Sequence, residues 1–173
     1  MNDKIKSVIV LTVICLVVTA LLAVTNSITA PIIKDAREKK IESSLREVLP
    51  DMYSIRTAQL PEGTPATVKN VYIVNNTYYA VVLSTTSAYS NGDMGITVGI
   101  NEAGELLGVK LTSYFESKDF GKETYPKQFV GLNAEEASGI DVFAGVTYSS
   151  KAFKSALADA FKVVELIKGG EAN

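Results

Sequence analysis

The sequence predicts an α+β fold behind a single N-terminal membrane-spanning helix. Three observations lead there. An uncharged apolar run sits near the N-terminus, two pairs of β-rich segments are each split by turn residues, and a terminal stretch carries apolar residues at helical spacing. At 173 residues and 47% hydrophobic, the chain has room for one domain plus an anchor.

The anchor is Val8 to Val24, VIVLTVICLVVTALLAV, without a charge. Its length approaches the roughly 20 residues that cross a bilayer. It exceeds the apolar core of about 7–15 residues usual in a cleaved signal peptide, so an uncleaved anchor in the lipid bilayer is expected. Lys4 and Lys6 immediately precede it, which favours a cytoplasmic N-terminus and an extracytoplasmic C-terminal domain on a cell (inner) membrane. Lys34, Arg37, Lys39 and Lys40 lie further along and argue the other way.

Pro31 suits a helix start, and Ile33, Ala36, Ile41, Leu45 and Val48 fall at helical spacing, so a helix is expected over Ile32 to Leu49, ending before Pro50. Asp51 to Thr67, with Pro61, Gly63 and Pro65, reads as loop. Val68–Val74 and Tyr78–Thr85 flank Asn75-Asn76 as a tight hairpin, and Met94–Ile100 with Leu106–Tyr114 form a second one. A turn is expected at Asn91-Gly92 between the hairpins, and a short helix near Pro126. Lys151 to Lys168 is the strongest helix, with Ala152, Phe153, Ala156, Leu157, Ala160, Phe161 and Val164 as one stripe. Ser149 or Ser150 can cap its start, and Gly169-Gly170 ends it. The expected organisation is a cytoplasmic tip and anchor at 1–25, a helical connector at 26–50 and a domain at 51–173.

Composition excludes much chemistry. The net charge of −2 provides no basic field for nucleic acid. The lone Cys15 excludes an intrachain disulfide and a cysteine metal site, and the absence of histidine removes the serine triad, histidine zinc sites and a histidine haem ligand. No pair of carboxylates stands out for acid–base work. No catalytic side chain and no metal are therefore expected, and a cofactor would have to carry the chemistry.

One stretch suggests where. Asp141-Val-Phe-Ala-Gly-Val-Thr147-Tyr-Ser-Ser150 stands directly before the terminal helix. It sets the Thr147 hydroxyl at a helix N-terminus, where unpaired N–H groups favour a phosphate. Gly145 permits close approach of a ligand or a backbone angle closed to other residues. By spacing alone the string reads more often as an ordinary capped turn than as an anion site. Tyr148 could stack on a ring or pack under the sheet, and Lys151 and Lys154 could sit near a phosphate or a ring, although lysines on an exposed helix face are more often solvated.

The stretch resembles the flavinylation motif of the FMN-binding domain family, Asp-x-x-Ser/Thr-Gly-Ala-Thr-x-Ser/Thr-Ser. Ala144 stands in place of the Ser/Thr and Val146 in place of the Ala. Ser113 to Gly121 is similar to the family's His-x-Glu-Thr-Pro-Gly-Leu-Gly segment near the flavin, with Glu116 and Gly121 alignable, and Gln128-Phe129-Val-Gly131 resembles its Gln-Phe-x-Gly. The resemblance covers nearly the whole chain.

It implies FMN held covalently on Thr147 through a phosphoester, attached by a separate flavin transferase that recognises a motif including Asp141. Gly145, Val146, Ser149, Ser150, Glu116 and Gly121 would be further cofactor-site residues. The fold implied is an FMN-binding domain of antiparallel β-hairpins with flanking helices. The family includes subunits of two membrane complexes, the Rnf electron-transport complex and the sodium-pumping NADH:quinone oxidoreductase. The compact length fits the Rnf type better. The implied role is an electron carrier among the other membrane subunits of a complex that couples electron flow between ferredoxin and NAD to Na⁺ or H⁺ pumping. An anchor without charge offers no ion path of its own. Two other readings stand beside it: a membrane-anchored binding module without covalent flavin, and a hydrolase using Ser149 or Ser150 with Lys151 or Lys154.

Overall fold

The structure is a computed structural model that describes residues 3–49, 52–87, 92–115 and 124–171. It divides into two compact units, Met1–Lys40 and Ile41–Asn173.

Helix α1 runs Asp3–Val48 without interruption. Its apolar stretch is exposed along its length and is long and apolar enough to cross a membrane. At about 1.5 Å per residue, the run from Val8 to Thr25 covers roughly 27 Å, close to a hydrocarbon core. Thr12, Thr19 and Thr25 each donate their hydroxyl to the carbonyl four residues back, so these polar groups are satisfied within the helix. The expected break at Pro31 is absent, since Pro31 lies inside α1. Proline removes one backbone bond, and the helix continues through it.

The second unit is built on a five-stranded antiparallel sheet in sequential order. Its strands are β1 (Ile55–Thr57), β2 (Val68–Val74), β3 (Tyr78–Thr85), β4 (Met94–Ile100) and β5 (Leu106–Ser113). β2 to β5 fall where the alternation places them. β1 corrects the expected loop: Ile55 to Thr57 pair with Val74 to Tyr72, and the strand is exposed throughout, so no buried alternation marks it. Asn75 and Asn76 take positive φ, 55° and 59°, the left-handed pair that a two-residue hairpin turn requires. Asn75 Oδ1 also accepts from the N–H groups of Tyr53 and Ser54, tying the incoming chain to that turn. The turn expected at Asn91-Gly92 falls partly outside the described residues.

Alternation sends successive strand residues to opposite faces. Val71, Ile73, Val81, Leu83, Ile96 and Val98 belong to the larger core with Phe153, Leu157, Ala160, Phe161 and Val164 of α3. Tyr72, Val74, Tyr78 and Ala80 face the other way, against Leu45, Val48 and Leu49 at the end of α1. There the backbone comes close. A Cβ on Gly99 would lie 2.5 Å from Val48 O, and one on Gly108 would lie 2.8 Å from Val48 Cα. Gly99 and Gly108 are cross-strand partners, so together they leave a side-chain-free seat for the helix end.

Beyond β5 come a 3-10 turn (Pro126–Phe129), α2 (Ala134–Gly139) and α3 (Thr147–Glu171). The sequence reading missed α2, although its signal was present. Asn133 caps it by accepting from Glu135 N and Glu136 N, and Glu136 reaches back to Asn133 N, a reciprocal box spelled Asn-x-x-Glu. α3 is longer than expected at both ends. It begins at Thr147 rather than Lys151 and continues through Gly169-Gly170.

Candidate functional site

The site forms where the chain passes from α2 to α3. Gly145 has φ +83°, and nothing lies within 4 Å of the place a Cβ would occupy. Its turn reverses the chain into α3. Val146 N–H bonds to Phe143 O, and Ser150 N–H bonds to Val146 O. Thr147 is thus the first helical residue, preceded by an apolar cap whose side chain, half-buried, packs against the core.

Thr147 is exposed. Among the described residues its hydroxyl has no hydrogen-bond partner. α3 itself offers no acceptor for the N–H groups of its first turn, and no acidic residue stands in that turn. The macrodipole of a 25-residue helix favours negative charge at this end. An exposed hydroxyl, a glycine with open space above it and a helix N-terminus together suit a phosphate ester, so the residues present fit an FMN phosphate.

Ser150 serves a different end from the capping expected of it. Ser149 is buried, and Ser150 is 0% exposed. Ser150 Oγ accepts from Phe143 N–H at 3.2 Å and donates to Val146 O and Thr147 O at 3.0 and 3.2 Å. It braces the loop to the first turn of α3. Asp141 is exposed, and its backbone carbonyl accepts from the Tyr125 hydroxyl at 2.8 Å.

Tyr125 was not singled out by sequence reasoning. It is 1% exposed and sits among three rings, with centroids 5.3 Å from Phe129, 5.7 Å from Phe143 and 5.9 Å from Phe153. Burial, and then the negative charge of Asp141, push its hydroxyl above the ordinary value, so the group stays a neutral donor. Its only sequence signal was its position in an aromatic cluster just ahead of Pro126.

Tyr148 is 58% exposed, so it is not packed under the sheet, and Phe143 is partly exposed on the other side of the turn. Lys151 is exposed, as expected. Lys154 is not a freely solvated lysine: half-buried, it donates to the carbonyls of Ser138 and Ile140. Glu116 and Gly121 lie outside the described residues.

Comparison with known proteins agrees with this geometry. Residues 1–48 match the family model of the RnfG N-terminal region, and residues 90–162 that of the FMN-binding domain. A protein of Shewanella piezotolerans, named as the G component of an ion-translocating oxidoreductase complex, is 26% identical over 187 residues, covering 90% of this chain and 87% of that one. Its namesake in Shewanella baltica is 26% identical over 188 residues, covering 92% and 88%. Residues 90–162, which hold the β4–β5 hairpin, the turn at Gly145 and most of α3, thus match the FMN-binding domain, in a chain that resembles the G components of ion-translocating oxidoreductase complexes.

Proposed function

We propose that this chain is the electron-carrying RnfG-type component of a membrane-bound ion-translocating ferredoxin:NAD⁺ oxidoreductase of the Rnf type, with FMN joined to Thr147 through a phosphoester. The observation that carries the reading is the exposed Thr147 hydroxyl at the head of α3, unpartnered among the described residues, within the segment that matches the FMN-binding domain. The relatives' names favour this complex over the quinone-reducing type.

Bound flavin supplies the exchange of one or two electrons, linking two-electron donors to one-electron chains. The protein's share is placement. Gly145 keeps the approach to Thr147 open, the first turn of α3 presents N–H groups to the phosphate, and Ser150 and Tyr125 hold the loop that carries Asp141. A phosphoester needs an activated donor. A separate flavin transferase would use a flavin dinucleotide: Thr147 Oγ1 attacks the phosphorus on the flavin side, and the pyrophosphate bond breaks. The nucleoside monophosphate leaves, and the hydroxyl proton passes to a base of the transferase. Glu116 and Gly121 belong to this proposal through the resemblance of their segment alone.

The arrangement we infer has a cytoplasmic tip and single-pass lipid anchor at 1–25, a connector at 26–50 and an extracytoplasmic FMN domain at 51–173. The connector's last turn, Leu45 to Leu49, packs with the domain. The other subunits of the complex would be its electron partners.

The test is to co-express the full chain with a flavin transferase, then measure intact mass and in-gel fluorescence. The expected result is a fluorescent species heavier by one FMN less water, lost in Thr147→Ala. An unmodified chain beside a labelled control substrate would overturn the covalent reading.

A further inference from the structure

The segment between α2 and α3 has no regular secondary structure, yet side chains hold it at three successive places. Lys154 Nζ donates to Ser138 O at 3.2 Å and also to Ile140 O. Tyr125 donates to Asp141 O, and Ser150 accepts from Phe143 N–H. Ser150 and Lys154 stand four apart on α3, so one face of that helix holds both ends of the span.

The lysine's role is the least expected. α2 is six residues long, has no basic residue in its last turn, and gives way at Ile140 to extended backbone. Its terminal carbonyls therefore need a donor from elsewhere, and a cation suits the negative end of a helix. Lys154 provides both from the neighbouring helix. Among the described residues it pairs with no carboxylate, so its charge is directed at these carbonyls. Its stem walls a cleft of about 240 Å³ between α2 and α3, beside Phe129, Ala137, Leu157 and Phe161.

We propose that Lys154 is a positioning residue for flavin attachment: its ammonium clips the carbonyl end of α2 to the second turn of α3. The clip fixes the span Ile140–Gly145 that a transferase must engage to reach Thr147. This rests on the covalent reading of Thr147. Lys154 touches neither the acceptor hydroxyl nor the flavin in this scheme. It acts through the backbone that carries Asp141 and Gly145.

The test uses the full chain in detergent, purified flavin transferase and flavin dinucleotide. Wild type, Lys154→Met, Lys154→Arg and Thr147→Ala are compared at a temperature where all four share the same near-ultraviolet dichroism. Initial rates over a range of chain concentrations separate kcat from KM. Amide hydrogen exchange is read at Ile140, Phe143 and Val146.

For Lys154→Met, kcat/KM should fall about tenfold, mainly through KM, as a loosened substrate loop predicts. The three amides should exchange faster while those of the β3–β4 pairing do not change. Lys154→Arg should restore both. Should Lys154→Met lose the native dichroism, Lys154→Gln replaces it, with an intermediate loss expected. Wild-type attachment in Lys154→Met, slow attachment with unchanged loop exchange, or failure of Arg to restore the rate would each overturn the proposal. No labelling of wild type beside a labelled control would overturn it together with the covalent reading.

Discussion

On the α3 face of the sheet, space is filled by large side chains: Phe129, Phe153 and Tyr125 are fully buried and meet edge to face or tilted, and Leu157 and Phe161 continue the layer. On the opposite face the fit is made by leaving side chains out. Gly99, Gly108 and Ala80 let the last turn of α1 approach until backbone meets backbone. One face tolerates rearrangement of side chains, because rotamers can shift. The other cannot, because neither main chain has anywhere to go. The two faces should therefore fail in opposite directions, one by losing atoms and the other by gaining them.

The largest effect should come from the aromatic face. Phe153→Ala removes a ring at 0% exposure and should destabilise the domain by about 3–5 kcal/mol, read as a fall in the denaturation midpoint. On the other face, Gly108→Ala adds one carbon and should cost about 1–3 kcal/mol, since Val48 is blocked by its own helix. A neutral Gly108→Ala would break the contrast. That face also holds a flaw: Thr97 is 0% exposed, and its hydroxyl has no partner among the described residues. Thr97→Val keeps the shape and removes the orphan, and should raise stability by about 1–2 kcal/mol.

Tyr125 gives a smaller effect with a definite pH signature. Its folded value lies above the ordinary 10.0, so the neutral phenol stabilises the fold fully below about pH 10. That contribution is lost as pH rises through the folded value. Tyr125→Phe should cost about 1 kcal/mol at neutral pH and blunt the alkaline loss of thermal midpoint. An unchanged alkaline limb would remove Tyr125 as its cause. The smallest effect should be at the partly exposed Lys110–Glu47 pair, 2.8 Å apart, where Glu47→Gln should cost less than about 1 kcal/mol and depend on salt.

The same contrast explains what could be read in the sequence. Helix α3 and strands β2 to β5 announce themselves through apolar periodicity, which reports burial against large side chains, and the anchor through an unbroken apolar run. β1 escapes because its residues are exposed, so its pairing with β2 carries no buried alternation. The seat at Gly99 and Gly108 escapes because a glycine shows that space is needed without naming what fills it. At the site, Thr147 and Gly145 were legible from a motif and a turn. The struts from Tyr125 and Lys154 were not, because both bond to main-chain carbonyls, which leave no trace in side-chain identity.

Asn75 sets a limit on where this chain can be lengthened. Its side-chain oxygen accepts from two amides more than twenty positions earlier, so one residue added to that turn would shift the oxygen away from both. Loop-closure entropy alone would scarcely notice such an addition. The turn at Gly63 has no such duty: nothing crowds the glycine, and among the described residues Thr64 bonds only back to Pro61. A reporter peptide or affinity tag should therefore be accepted after Gly63 and rejected between Asn75 and Asn76, although both positions are turns.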